Sequence, residues 1–269
     1  MTPDFFTTLH YPLRAAWVRR AEMLDPRASG SRLGLVRAVL RAARRHDVLV
    51  LNGSLHIEQL AAAAVALRHR SRRLVLADCT WETGGRLFDR LATRAGIRVI
   101  DRAEVTYCVL STAELDSFPR NWRVDPARVR FTPWCHTLSD EELELPVSDG
   151  GYAFAGGDSM RDYGPLLDAA EGLATPIRIA ARRQLTRSGA PLPANVTVES
   201  TTPERFTELM AAARVVIIPL ADSEDRSAGQ GTYLNAMALG KPVIVPDVIG
   251  VRDYVVPGRT GIIVAPGDG

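Results

Sequence analysis

The chain reads as an α/β protein made of two doubly wound, Rossmann-like domains. Three observations predict this. Short, continuous apolar runs recur along the sequence, stretches with helical periodicity separate them, and an acidic segment at 137–150 divides the series in two. Strands with no polar alternation belong to parallel sheets covered on both faces, and their alternation with helices builds βαβ units. With 269 residues, 46% of them apolar, there is material for two cores. The predicted domains are 1–146 and 147–269.

Residues 1–46 are Arg-rich and mostly helical in pattern, with Leu33, Val36, Val39 and Leu40 at helical spacing after a break at Pro26 to Gly30. Strand DVLVL (47–51) ends in Asn52-Gly53-Ser54, and an Ala-rich helix over 55–69 follows. Strand 73–78, a helix near 85–95, strand 104–110 and strand 129–133 complete the first series, with Ser111 placed to cap the helix between the last two. Residues 137–150, with Pro146 and Asp149-Gly150-Gly151, read as a linker. The second series runs strand 152–155, helix 163–172, strands 177–180 and 196–199, helix 203–213, strand 214–219, helix 230–239, strand 242–246, a short helix at 250–255 and strand 261–264. Pro266-Gly267-Asp268-Gly269 has the form of a turn before one more helix; either the sequence stops short of that helix or the second domain has lost it, and without it one face of the second sheet is expected to be poorly covered.

Composition narrows the function classes. The net charge of +2 does not call for a nucleic-acid partner. Its distribution is uneven: residues 1–102 hold 18 Arg against 9 acidic residues, and the remainder runs acidic. Arg-favouring codon usage and an anionic partner both explain this surplus. Cys79, Cys108 and Cys135 are far apart and follow no metal-ligand spacing, so they read as reduced thiols and no metal site is expected. No apolar run reaches membrane-spanning length and the N-terminus does not resemble a signal peptide, which together suggest a cytoplasmic protein, at most peripheral to the inner face of the membrane.

The strongest constellation lies between Val215 and Asp247. A buried strand leads through the polar loop ADSEDRSAGQG into helix TYLNAMALG, which Gly240 and Pro242 close. Gly229 and Gly231 stand where loop becomes helix. Small residues there let an anion approach N–H groups without intrahelical partners, although the same glycines also serve a simple turn. Gly229, Gln230, Gly231 and Thr232 are thus the candidate phosphate cradle.

The segment SAGQGTYLNAMALGKPVIVPDVIGVRDYVVPGRTGIIVAPGD resembles the donor-binding segment of family 4 glycosyltransferases, enzymes of the two-domain GT-B fold. FAGGDSMRDYGPLLDAA, which includes Gly156 and Gly157, resembles the opening of the same domain, and residues from 47 onward follow the acceptor domain in outline. The resemblance implies a nucleoside-diphosphate sugar as co-substrate, no cofactor or metal, transfer with retention, and a small-molecule or lipid-linked acceptor. Departures are specific. Ser227 and Asn235 stand where the family has two glutamates, contacting sugar and ribose respectively. Gly157 and Asp162 stand where the family has an Arg and Lys pair on the pyrophosphate, and Arg161 is the candidate replacement, if it is not simply an exposed charge leading a helix. Asn52, Gly53, Asp78, Trp81 and Glu82 follow strands of the first domain and are acceptor-side candidates, or else turn, cap and packing residues. His56 and His136 have no partner spacing that assigns them a role, Asp222, Glu224 and Asp225 either touch sugar hydroxyls or belong to a solvated charged loop, and no catalytic residue can be named. Two readings remain open: a glycosyltransferase, or a non-catalytic partner subunit whose donor site has degenerated. A dinucleotide oxidoreductase would need a Gly-rich turn after an early strand, which is missing.

Overall fold

A computed structural model describes residues 3–9, 16–54, 56–84, 87–182, 184–185 and 191–268. The chain divides into two compact units, Met1–Pro133 and Trp134–Gly269. Each is built around a six-stranded sheet whose strand pairs are all parallel.

The first sheet has the order β2-β1-β3-β4-β5-β6. Its strands are β1 (Phe5–Thr7), β2 (Ala21–Met23), β3 (Val48–Asn52), β4 (Arg73–Ala77), β5 (Glu104–Val109) and β6 (Val129–Phe131). Helices α1 (Arg32–Ala42), α2 (His56–Arg68), α3 (Leu87–Ile100) and α4 (Glu114–Trp122) join them. Leu35, Val39 and Ala42 put one stripe of α1 into the core, and Ser31 caps it by accepting the Gly34 N–H at 3.0 Å. Ser111 caps as expected, taking the Glu114 N–H at 3.3 Å and donating its own hydroxyl to the Glu114 carboxylate at 2.8 Å. Leu49, Leu51, Leu74, Leu76 and Val109 are buried on the sheet, each worth about 1.5–3 kcal/mol of burial.

The helical reading of residues 1–46 is corrected here. Two strands, β1 and β2, precede α1, and Pro26–Ser29 forms a single 3-10 turn rather than a break. Both strands have three residues, too short for a periodicity to emerge. Phe6, 2% exposed, seats β1 in the core. The starts of the predicted helices at 55 and at 85–86 fall outside the described residues.

The second sheet has the order β12-β11-β10-β7-β8-β9. Its strands are β7 (Ala153–Gly156), β8 (Ile177–Ala180), β9 (Val196–Glu199), β10 (Val215–Ile217), β11 (Val243–Pro246) and β12 (Gly261–Val264). Its helices are α5 (Asp140–Leu143), α6 (Gly164–Ala170), α7 (Pro203–Ala211) and α8 (Gln230–Ala238). The stretch read as a linker contains α5, closed by a capping box between Ser139 and Glu142. Leu138, Leu143 and Leu145 pack it on the core of the second unit. Near 250–255 the expected short helix is one 3-10 turn, Val251–Asp253. An apolar hollow of about 500 Å³ has Leu166, Ile217, Leu220, Ile244 and Val264 among its walls. Among the described residues no helix is long and apolar enough to cross a membrane.

Both sheets contain a switch point, where the chain reverses its direction of travel across the sheet. In the first it lies between β1 and β3, and in the second between β7 and β10. Ligands of doubly wound sheets bind outside the carboxyl ends of the strands at such points.

Candidate functional site

At the switch point of the second sheet, the loop after β7 meets the loop after β10. Two backbone hydrogen bonds stitch them together, Asp162 N–H to Pro219 O at 2.9 Å and Ala221 N–H to Met160 O at 3.0 Å, and set Arg161 opposite Leu220 as an antiparallel bridge. Gly157 takes φ +107 and Met160 φ +50, so the first loop turns sharply through left-handed backbone. A Cβ on Gly157 would stand 2.9 Å from the Arg161 guanidinium, and one on Gly156 would enter the Phe206 ring. Gly156 is therefore glycine for packing and Gly157 for the approach of Arg161.

Arg161 is 8% exposed. Its Nε donates to Gly156 O at 3.0 Å, Nη1 to Ser159 O at 2.8 Å and Nη2 to the Thr232 hydroxyl at 3.0 Å. Burial pulls its pKa below the usual guanidinium value, while Tyr163, Asp158 and Tyr233 act against that shift. The bond to Thr232 spans 71 residues and fixes the cation at the first turn of α8. Gly229 starts that helix at φ +86, and no side chain caps it among the described residues. Helix N-terminal N–H groups and a guanidinium favour the same kind of ligand, an anion. The Cβ position of Gly231 is open, its only neighbour within 4 Å among the described residues being the Trp134 indole nitrogen at 4.0 Å.

Ser227 and Gln230 are buried, and Gln230 Nε2 donates to Ser227 Oγ at 2.6 Å. That pair braces the loop from inside. Arg226 leans over the same loop, donating to Ser227 O at 3.3 Å and Ser159 Oγ at 3.2 Å. Asn235, one turn along α8 from Thr232, lines a cavity of about 510 Å³ together with Thr137, Gly157, Ala180, Arg182 and Phe206. Asp158, at the same cavity, accepts from the Arg182 backbone N–H at 2.9 Å and from its Nε at 2.6 Å. Thr137, Asp158, Arg182 and Arg226 are absent from the sequence-based candidates. Thr137 in particular carries no motif and sits in the stretch taken for a linker. A hollow of about 460 Å³ at the opposite, amino edge of the sheet includes Lys241, but its ammonium is occupied by Ser148 O at 2.6 Å and Ala213 O at 2.7 Å.

The acceptor-side candidates gather at the carboxyl edge of the first sheet. Asn52 Oδ1 accepts from Ser54 N–H at 2.9 Å and Ser54 Oγ at 2.6 Å. Gly53 is buried, and a Cβ there would lie 2.8 Å from both Ala77 O and Cys79 Sγ. Asp78 is half-buried in left-handed backbone, φ +57, at the end of β4, a conformation that stores strain in a non-glycine residue. Trp81 is 5% exposed, donates to Gly53 O at 2.6 Å and packs among Tyr107, Phe118 and Trp122. Glu82 is exposed. His136, Asp222 and Glu224 are exposed as well, and the His56 side chain falls outside the described residues. Sequence reasoning missed Thr8 and Glu58 at this edge. Glu58 is fully buried, accepting at Oε2 from the Thr8 hydroxyl at 2.7 Å and from the Asn52 N–H.

Among the described residues no group of three His, Cys, Asp or Glu side chains is arranged to hold a metal ion.

Residues 166–269 match the family model of glycosyl transferases group 1, the same stretch on which the sequence resemblance is firmest. No curated protein matches the chain. Solved structures do. HepE of Anabaena in complex with UDP aligns at 17% identity with a TM-score of 0.66, over 100% of this chain and 86% of that one. Sucrose-phosphate synthase of Thermosynechococcus elongatus aligns at 16% identity and TM-score 0.62, over 94% and 69%. WaaG, a glycosyltransferase involved in lipopolysaccharide biosynthesis, aligns at 13% and 0.51, over 99% and 87%. At these identities the likeness speaks for the fold. The chain thus has two parallel six-stranded sheets of GT-B type, and residues 166–269, in the second unit, carry the match to group 1 glycosyl transferases.

Proposed function

We propose that the chain transfers a sugar from a nucleoside-diphosphate sugar to an acceptor bound at the first unit, with retention of configuration. One observation carries the donor reading: the buried Arg161 guanidinium is bonded to Thr232 in the first turn of α8, at the switch point of the second sheet. Charge develops on the leaving diphosphate as the glycosidic bond breaks. Fixed donors already aimed at that charge stabilise it without reorganising. Gly229 to Thr232 and Arg161 supply them in this reading, Gly156 and Gly157 shape the facing loop, and Ser227 with Gln230 keeps the loop in place. Asn52, Gly53, Asp78, Trp81 and Glu82 are the corresponding acceptor-side set, with Trp81 acting through packing.

HepE is described with UDP and with UDP-glucose, so UDP-sugars come first in the test. The experiment is a thermal-shift panel of UDP-, GDP-, ADP- and TDP-sugars, followed by slow hydrolysis of whichever donor stabilises the protein. Stabilisation with turnover supports the enzyme. Stabilisation without turnover on any donor leaves a binding subunit, the reading favoured by the neutral, inward-turned Ser227 where a glutamate is expected.

The acceptor is a small or lipid-linked molecule, reached from the cytoplasm. The Arg-rich first unit suits an anionic acceptor or an anionic membrane surface. Arg32, Arg37, Arg41, Arg44 and Arg45 are all exposed on and just after α1, with no acidic residue between them. Leu60 and Leu67, 62% and 53% exposed, face solvent on α2, which packs beside α1. Binding to anionic vesicles that weakens steeply with salt supports the membrane version. Equal binding to neutral vesicles at low salt removes it.

A further inference from the structure

The family pattern expects a glutamate at position 235 to hold the ribose. Here the residue is Asn235, and its carboxamide is already engaged. Oδ1 accepts the Thr137 backbone N–H at 2.8 Å, while Nδ2 donates to Thr137 Oγ1 at 3.1 Å. The two contacts close a ring around one residue 98 positions away. A carboxamide has two donors and two acceptor lone pairs, so half of its capacity goes to Thr137. The direct hydroxyl contact to Oδ1 is 3.5 Å, at the limit of a hydrogen bond. Thr137 Oγ1, once it has accepted from Nδ2, retains its own proton and a second lone pair. Both residues line the cavity that begins at Gly157. Asn235 follows Thr232 by three residues on α8, so the pair sits about 5 Å, roughly one helical turn, from the Arg161–Thr232 contact. A sugar ring joined to a diphosphate at that contact falls within reach of it.

We infer that the Thr137 hydroxyl reads the ribose of the bound nucleotide and that Asn235 is its positioning residue. This rests on the donor reading of the cavity and deepens it: discrimination between ribose and deoxyribose comes from a neutral hydroxyl held by an amide, not from a carboxylate. The arrangement also accounts for why a short, neutral side chain suffices at 235. It need not reach the ligand, because the segment carrying Thr137 is drawn across to it.

The test compares calorimetric binding of UDP, GDP and ADP with that of their 2′-deoxy forms. Wild type should prefer the ribonucleotide by roughly 5- to 20-fold, the scale of one or two hydrogen bonds. Thr137→Val, close to isosteric, should bring ribonucleotide affinity down to the deoxy level and leave deoxy affinity unchanged. Thr137→Ser, which keeps the hydroxyl, should retain the preference. Asn235→Ala should reduce it, and should add nothing further in the Thr137→Val background, as expected of groups acting in series. Melting temperatures establish that each variant is folded. If Thr137→Val is folded and keeps the ribose preference, or if wild type binds both forms equally, the inference is overturned while the donor reading stands. If wild type binds no nucleoside diphosphate, both fall together.

Discussion

The two switch points have the same topology and opposite character. At the first, between β1 and β3, the polar groups are turned on one another: Thr8, Asn52 and Glu58 share hydrogen bonds, Gly53 is pressed against the end of β4, and Trp81 seals the edge from within. At the second, between β7 and β10, polar groups stand beside open space: Arg161 reaches Thr232, no side chain caps α8 among the described residues, and Thr137, Asp158, Arg182 and Asn235 line a cavity of about 510 Å³. Polar groups that satisfy one another stabilise a fold, whereas groups preset around a void are arranged for a ligand. The contrast predicts that substitutions at the second edge change binding more than stability, and that those at the first do the reverse.

The largest effect is expected from Gly231→Val. The Cβ position is open, with the Trp134 nitrogen at 4.0 Å as its nearest neighbour among the described residues, so the fold is expected to accept the substitution. Its branched carbons would nonetheless occupy the approach to the N–H groups of the first turn. Nucleotide-sugar binding should be lost in calorimetry, with only a modest fall in the melting temperature of the free protein. Wild-type affinity in a well-folded variant would move the phosphate site elsewhere. Arg161→Met comes next. Losing hydrogen bonds from a charged group should weaken donor binding by roughly 10- to 100-fold. The free protein should lose about 1–3 kcal/mol, because Met leaves the Gly156 and Ser159 carbonyls without their donor while relieving the desolvation of a buried cation. A sharp loss of stability with intact binding would reverse the reading of this residue.

Gly53→Ala turns the comparison around. A Cβ at 2.8 Å from the Ala77 carbonyl and the Cys79 sulfur forces the ends of β3 and β4 apart, at about 1–3 kcal/mol for overpacking. Unfolding of the first unit should shift accordingly while donor affinity holds. Equal damage to donor binding would mean that the two edges are not energetically separate.

What could be read from the amino-acid order follows the same division. In the second unit the strand-loop-helix punctuation survives in the chain itself: Gly240, at φ +69, ends α8 within a residue of the expected place, and the loop at Gly229 turns through positive φ where small residues had suggested it. Local chemistry set these positions, so local reading found them. Arg161 was reached through resemblance and side-chain type, yet its contact with Thr232 is a tertiary fact with no local signature. Thr137 was invisible for that reason, its partner lying 98 residues on. The capping box of Ser139 and Glu142 was present in the sequence and was masked by the acidic composition around it. In the first unit β1 and β2 are too short to show a period, and Glu58 reads as an ordinary first-turn acid of a helix until the fold closes over it.

The last prediction concerns that glutamate, and it tests whether the first edge is as closed as its hydrogen bonds suggest. Glu58 is shut away from solvent, and one of its oxygens, Oε1, has no hydrogen-bond partner among the described residues. Burial pushes its pKa from 4.5 up to about 7, against the opposing influence of the Thr8 and Asn52 hydrogen bonds. The folded protein therefore holds this proton more tightly than the unfolded chain does. Its stabilising contribution is full below the unfolded value near 4.5 and is lost as pH rises through about 7. Between those limits the native state binds more protons, so stability should decline with pH by at most about 1.4 kcal/mol per unit from this group. Glu58→Gln keeps an oxygen for Thr8 and Asn52 and cannot ionise. Chemical denaturation across pH 4.5 to 7 should show a flatter profile for the variant than for wild type, the two converging at the acid end. Parallel profiles would mean that Glu58 ionises in the folded protein as readily as in the unfolded one, and that water reaches an edge whose hydrogen bonds describe it as sealed.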